Sequence, residues 1–299
     1  MSTRKVKRSV SVRVEKVLMP RQASPIAMER GRVLAGWASP AQTTIHAQMS
    51  GDQDEQLRLL KEIEARRAYA DQLHRPLNQS GLVLEIPKEL EDYSAEFQKG
   101  LLGSGAIQEG SSVAYMDLSK LGAFQVYVRE PAVSFYCSML QPGDLLSAAK
   151  LALPIEVQTH LQAGFDSYRG TWTVTSEDSN LQKCGQSVQQ NPDGTIAFGI
   201  SFRVAASIVK VQRYLGRYYL CDGYHRSVAL LRSNVRRSLV LVRDVSTLEE
   251  LGAYGHLPFD RITGLTPPVL ADYDDERLSI ELNVPAGGRR FIVMAQEAT

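Results

Sequence analysis

The chain has 299 residues, 43% of them apolar and 22% charged, and a formal net charge of +1. This is the balance of a soluble globular protein with room for one large domain or two modest ones, and it excludes a chain drawn as a whole to polyanions. No apolar run approaches the roughly 18–20 residues of a membrane span, and no apolar stretch follows the basic N-terminus to make a signal sequence, so a cytoplasmic protein without a membrane partner is expected.

Charge is nevertheless uneven. Residues 1–36 carry nine basic side chains against Glu15 and Glu29, a net of +7 that leaves −6 for the remainder. Residues 1–50 are expected to be a basic, weakly ordered segment, with one strand at "SVSVRVEKVLM" (9–19) and Trp37 docking it onto the body. Such a tail is a candidate contact for nucleic acid or an acidic partner, through counterion release.

A helical region is expected over 51–112. Leu57, Leu60, Ile63, Ala68 and Leu73 recur at helical intervals, Asp52 and Asp54 sit where the dipole favours anions, and Pro76 ends the run. Arg66 and Arg67 read as part of its solvated face. A short strand (81–87) and a second helix (88–102) follow. "GSGAIQEGSS" (103–112) lacks the Gly-Lys-Ser/Thr ending of a nucleotide loop and reads as a surface connection.

Residues 113–299 are expected to form a mixed α/β body. "SVAYMDL" and "AFQVYVREPAVSFYCSML" read as β-like up to residue 140, with Phe124, Val126 and Val128 on one face. A helix is expected over 142–153. Several short strands follow over 163–206, with a hairpin turn at Asp193-Gly194. The last third predicts strands at 207–214 and 217–221, a helix at 224–234 and a strand at 237–245. A short helix at 246–255 has Ser246 or Thr247 as cap and Glu249 in the capping box. A C-terminal hairpin is expected over 276–296, from the alternation of Leu278, Ile280, Leu282 and Val284.

Cys137, Cys184 and Cys221, and five scattered histidines, have neither disulfide nor metal-ligand spacing, so no metal site is expected. Chemistry concentrates instead in "RYYLCDGYHRSVALL" (217–231). A strand, a tight Asp222-Gly223 turn and a helix start are how a chain aims unsatisfied backbone N–H groups at an anion. Arg226 can grip phosphate oxygens, Ser227 and His225 can add hydrogen bonds, and Asp222 can hold Mg2+ or act as a base. The same residues also make a plain capped helix, in which Asp222 contributes about 1 kcal/mol and Cys221 is a buried small hydrophobe.

Residues 207–245, with Asp222-Gly223, Arg226, Ala229 and Leu230, resemble the central unit of the ParB/sulfiredoxin superfamily. The resemblance implies an α/β (α+β) fold with this core at about 195–255, framed by N-terminal helices and strands and the C-terminal hairpin. It implies nucleotide phosphates at the helix N-terminus. Tyr224 stands where sulfiredoxins keep their catalytic cysteine, which speaks against sulfinic acid reduction. The acidic residue of the chromosome-partitioning Gly-Glu-Arg-Arg turn is missing as well. Asp222-Gly223-Tyr224-His225-Arg226 is nearest to the Asp-Gly-His-x-Arg form of free-serine kinases. Those enzymes also use a glutamate, for which Glu156 and Glu177 are at plausible distances.

The expectation is a nucleotide- or phosphate-binding protein, a kinase-like phosphotransferase or nucleotide hydrolase, using ATP or CTP with Mg2+. Asp222 and His225 would be catalytic, and Gly223, Tyr224, Arg226 and Ser227 would hold the nucleotide or a phosphorylated small molecule. The alternative is a non-catalytic adaptor that uses the same fold and the basic tail.

Overall fold

The computed structural model describes residues 28–48, 52–104, 110–155, 161–168, 170–176, 181–204, 208–253, 256–286 and 289–294. The strand expected at 9–19 and most of the basic tail lie outside these residues, as do Glu156 and Glu177.

In chain order the elements are β1 (Met28–Val33), α1 (Pro40–Gln48), α2 (Gln53–Gln72), β2 (Val83–Leu84), α3 (Lys88–Ser104), β3 (Ser112–Asp117) and β4 (Tyr127–Arg129). Next are α4 (Glu130–Ser138), α5 (Leu145–Ala152), β5 (Gln162–Asp166), β6 (Thr171–Ser176), β7 (Leu181–Gln190) and β8 (Ile196–Val204). The remainder are β9 (Lys210–Tyr214), β10 (Arg217–Asp222), α6 (Tyr224–Arg232), β11 (Arg237–Asp244), α7 (Leu248–Leu251), α8 (Phe259–Thr263), β12 (Ile280–Pro285) and β13 (Arg289–Met294). The architecture is mixed α/β.

The chain divides into two units. The larger takes in residues 27–157 and 206–286 and contains a five-stranded sheet in the order β10-β9-β11-β3-β2. Within it β9 and β10 form an antiparallel hairpin through Leu215-Gly216, and α6 carries the chain back so that β11 runs parallel to β9. β11 is the middle strand of this sheet: Leu239, Val240, Leu241 and Val242 are all buried, as expected of a strand covered on both faces. A three-stranded antiparallel sheet, β12-β1-β4, belongs to the same unit.

Several expectations are corrected here. Residues 28–48 are not weakly ordered: β1 pairs on both sides, and Val33, Leu34, Ala35 and Trp37 are buried in the core. The final two strands do not form a hairpin. β12 pairs with β1, whereas β13 pairs with β6 in the smaller unit. The alternation of Leu278, Ile280, Leu282 and Val284 is genuine, and all four are buried, but alternation fixes a face and not a partner.

Of the run read as β-like, "SVAYMDL" forms β3 as expected, whereas "AFQVYVREPAVSFYCSML" yields only the three-residue β4 before turning into α4. Pro131 stands in the first turn of α4, where its missing N–H costs nothing. Val133 is buried, and the Cys137 thiol reaches the Ala229 carbonyl of α6 at 3.6 Å.

On α2 the buried positions are Leu59, Ile63 and Ala70, while Leu57 is exposed. Its arginines are not simply solvated: Arg66 Nε donates to the Ser279 carbonyl at 2.8 Å, and Arg67 donates to Thr43 at 3.2 Å. The capping box of α7 pairs Thr247 with Glu250, not Glu249.

The smaller unit takes in residues 158–205 and 287–299. It holds the three-stranded sheet β13-β6-β5 and the β7-β8 hairpin. The hairpin turns at Asp193-Gly194 as expected, with Gly194 at φ 87° and Asp193 accepting the Thr195 N–H. No helix among the described residues is long and apolar enough to cross a membrane.

The first turn of α6 as a candidate anion site

Asp222 ends β10 and Gly223 is the N-cap of α6, in the left-handed region at φ 84°. The glycine is required twice over. Left-handed backbone disfavours a side chain, and a Cβ here would lie 2.8 Å from the Val209 Cα. The close approach that Gly223 permits is therefore to the chain's own backbone. Its N–H donates to the Asp222 carboxylate at 2.7 Å, so it is not an anion donor as the sequence suggests. The Asp222 carboxylate also lies 3.6 Å from the Lys210 ammonium across the hairpin.

Tyr224 is a core residue. Its hydroxyl accepts the Phe124 and Gln125 N–H groups at 2.9 and 3.3 Å and donates to the Leu220 carbonyl at 2.5 Å. Burial pushes the phenol far above its ordinary pKa. Its ring meets Phe124 and Tyr273 edge-on. Only its backbone N–H is available to a ligand, not its side chain.

The next three residues differ. Among the described residues, eight buried side-chain N or O atoms have no hydrogen-bond partner, and four of them are His225 Nε2, Arg226 Nε, Arg226 Nη1 and Ser227 Oγ. Ser227 is 0% exposed. Buried polar atoms in native proteins nearly always have a partner, in the protein or in ordered water; four unpaired on three consecutive residues make this helix start the candidate site. The N–H groups of Tyr224, His225 and Arg226 add to them, since first-turn donors have no acceptor inside the helix. The Ser227 N–H already bonds the Gly223 carbonyl at 2.9 Å.

α4 packs beside this turn. The Arg226 guanidinium carbon lies 5.1 Å from the centre of the Tyr136 ring. At the opposite end of α6, Arg232 makes a paired contact with both oxygens of Glu130, at 2.6 and 3.0 Å, and also holds Asp274 at 2.8 Å. The two helices are thus antiparallel. Burial works to raise the Glu130 carboxyl, but the hydrogen bonds and charge of Arg232 outweigh it and hold the group below its ordinary pKa.

His225 is neutral at physiological pH. Burial, with Arg129 and Arg226 nearby, holds its imidazole down at about 4, against a smaller opposing pull from Glu130. Cys221 is inert: burial pushes its thiol well up, and it donates to Gln212 at 3.0 Å.

Mg2+ does not fit this donor set as a protein-held ion. Both Glu130 oxygens are taken by Arg232, and Asp222 is shared between Gly223 and Lys210. Among the described residues no three His, Cys, Asp or Glu side chains come together. The roles given to Arg129, Glu130 and Tyr136 escape the sequence reading, although Glu130-Pro131 is an ordinary helix-start signal that points to α4. No family model, curated protein or solved structure matches this chain.

Proposed function

We propose that the protein binds a phosphate-bearing ligand, in the first instance a nucleotide such as ATP or CTP, at the first turn of α6. The observation that carries this is the set of four unpartnered buried atoms on His225, Arg226 and Ser227. They stand at the positive end of a nine-residue helix. A phosphate offers several acceptor oxygens, which is what the guanidinium, the hydroxyl and the free N–H groups require. The β9-β10-α6-β11 order supports the ParB/sulfiredoxin-like reading of this unit.

Any divalent cation enters on the nucleotide's own phosphates. Asp222, already bonded, orders the turn. His225 is the group with a free nitrogen to hold or move a proton, so phosphoryl transfer or hydrolysis would depend on it.

Thermal melting with ATP and CTP, each with and without Mg2+, tests the reading. A ligand at a hundred times its Kd stabilises by about 2.7 kcal/mol, a rise of about 5–10 °C for a unit of this size. Arg226→Ala is expected to abolish the rise. No shift with any nucleotide in the unmodified protein refutes the proposal.

A further inference from the structure

Arg226 belongs to a run of contacting groups that reaches out to solvent. Its guanidinium lies 5.1 Å from the Tyr136 ring centre, and that ring meets Phe135 at 5.5 Å between centroids, tilted by 60°. Phe135 is 60% exposed, and Met139, which caps the C-terminus of the same helix, is 54% exposed. Single exposed apolar side chains are ordinary. This one is not isolated, because it is propped against the ring that carries the arginine with unpartnered nitrogens. An exposed aromatic ledge, the face of Phe135, therefore lies one ring away from the Arg226 guanidinium.

We propose that this ledge is a nucleobase subsite. The ligand is a nucleoside polyphosphate whose phosphates lie at His225, Arg226 and Ser227 and whose base lies on Phe135. The inference rests on the phosphate-binding reading above and narrows its ligand class, since an inorganic polyphosphate gains nothing from an exposed ring. Every base has a π face, and the Phe135 ring has no hydrogen-bonding group to tell one base from another. The subsite thus raises affinity for nucleotides in general and discriminates weakly between ATP and CTP.

The test is titration calorimetry of the full chain with ATP, CTP and tripolyphosphate, all with Mg2+. The proteins are the unmodified chain, Phe135→Ala and Phe135→Trp. Truncating a side chain this exposed leaves the fold nearly unaffected. The unmodified chain is expected to bind both nucleotides about tenfold or more tighter than tripolyphosphate, and Phe135→Ala to remove about that factor for nucleotides alone. Phe135→Trp is expected to keep nucleotide affinity, with its added indole fluorescence quenched by nucleotide and not by tripolyphosphate. Equal binding of nucleotide and tripolyphosphate, or equal weakening of both by Phe135→Ala, overturns the ledge and leaves the phosphate site standing. No binding of any of the three to the unmodified chain overturns both.

Discussion

Tyr224→Phe separates a structural tyrosine from a ligand-binding one. The substitution removes one oxygen and keeps the ring, so packing against Phe124 and Tyr273, at 6.1 and 6.2 Å between centroids, is preserved. What is lost is a hydroxyl that satisfies two backbone N–H groups and one carbonyl in a fully enclosed place. Each buried group left without a partner costs about 1–3 kcal/mol. The Phe124 N–H at 2.9 Å and the Leu220 carbonyl at 2.5 Å are the close contacts, and the Gln125 N–H at 3.3 Å is weaker. Partial relaxation keeps the total below the sum, at about 3 kcal/mol. For a unit of this size that lowers Tm by about 6–12 °C. Urea unfolding should show a lower midpoint with an unchanged slope, the mark of altered stability and not of an altered unfolded state. A Tm within about 2 °C of the unmodified protein refutes the reasoning. So does a selective loss of nucleotide binding at unchanged stability, because the phenol would then be a ligand contact.

Gly223→Ala is expected to destabilise by more than about 2 kcal/mol in urea unfolding, because left-handed strain adds to a Cβ placed 2.8 Å from the Val209 backbone. The folded pKa of His225, about 4, lies below its ordinary 6.5, so the unfolded chain binds more protons between these values. Stability should therefore fall as pH drops from about 6.5 to 4, by up to about 1.4 kcal/mol per pH unit from this group, and His225→Gln should flatten that slope in pH-dependent unfolding. Arg232→Met frees Glu130, which is expected to raise the His225 pKa in an NMR titration and to weaken phosphate binding several-fold; an unchanged pKa removes Glu130 from the site.

The sequence made one half of the candidate site legible and hid the other. β9, β10, α6 and β11 were readable because their signals are local: apolar alternation, a Leu215-Gly216 turn and an Asp222-Gly223 junction at which only glycine fits. α4 was not. Val133, Phe135 and Tyr136 favour strands when taken alone, and the run from Phe124 to Val128 before them alternates. The helix exists because Pro131 starts it and α6 packs along it, and tertiary packing overrides a propensity worth tenths of a kcal/mol per residue. Strand partners were hidden for a related reason. β12 finds β1 from the far end of the chain, and β13 finds β6, pairings that leave no mark in either strand's own sequence.

Why the first turn of α6 stays unpaired follows from where the nearby carboxylates are spent. Glu29 holds Arg129 at 3.0 Å, and Glu130 is clamped by Arg232 nearly two turns of α6 away from Arg226. Asp222, the carboxylate nearest in sequence, is turned to the Gly223 N–H and to Lys210. No described carboxylate pairs with Arg226; its guanidinium lies over the Tyr136 face, and its Nε and Nη1 have no hydrogen-bond partner. The neutral imidazole beside it adds no second positive charge to this turn, and its Nε2 is without a hydrogen-bond partner. A merely capped helix would gain from an acid in its first turn, and α6 has none. Asp222 meets the N-cap N–H at this helix end, but no described carboxylate reaches the Arg226 guanidinium one turn in. That costs stability unless an anion from outside completes it.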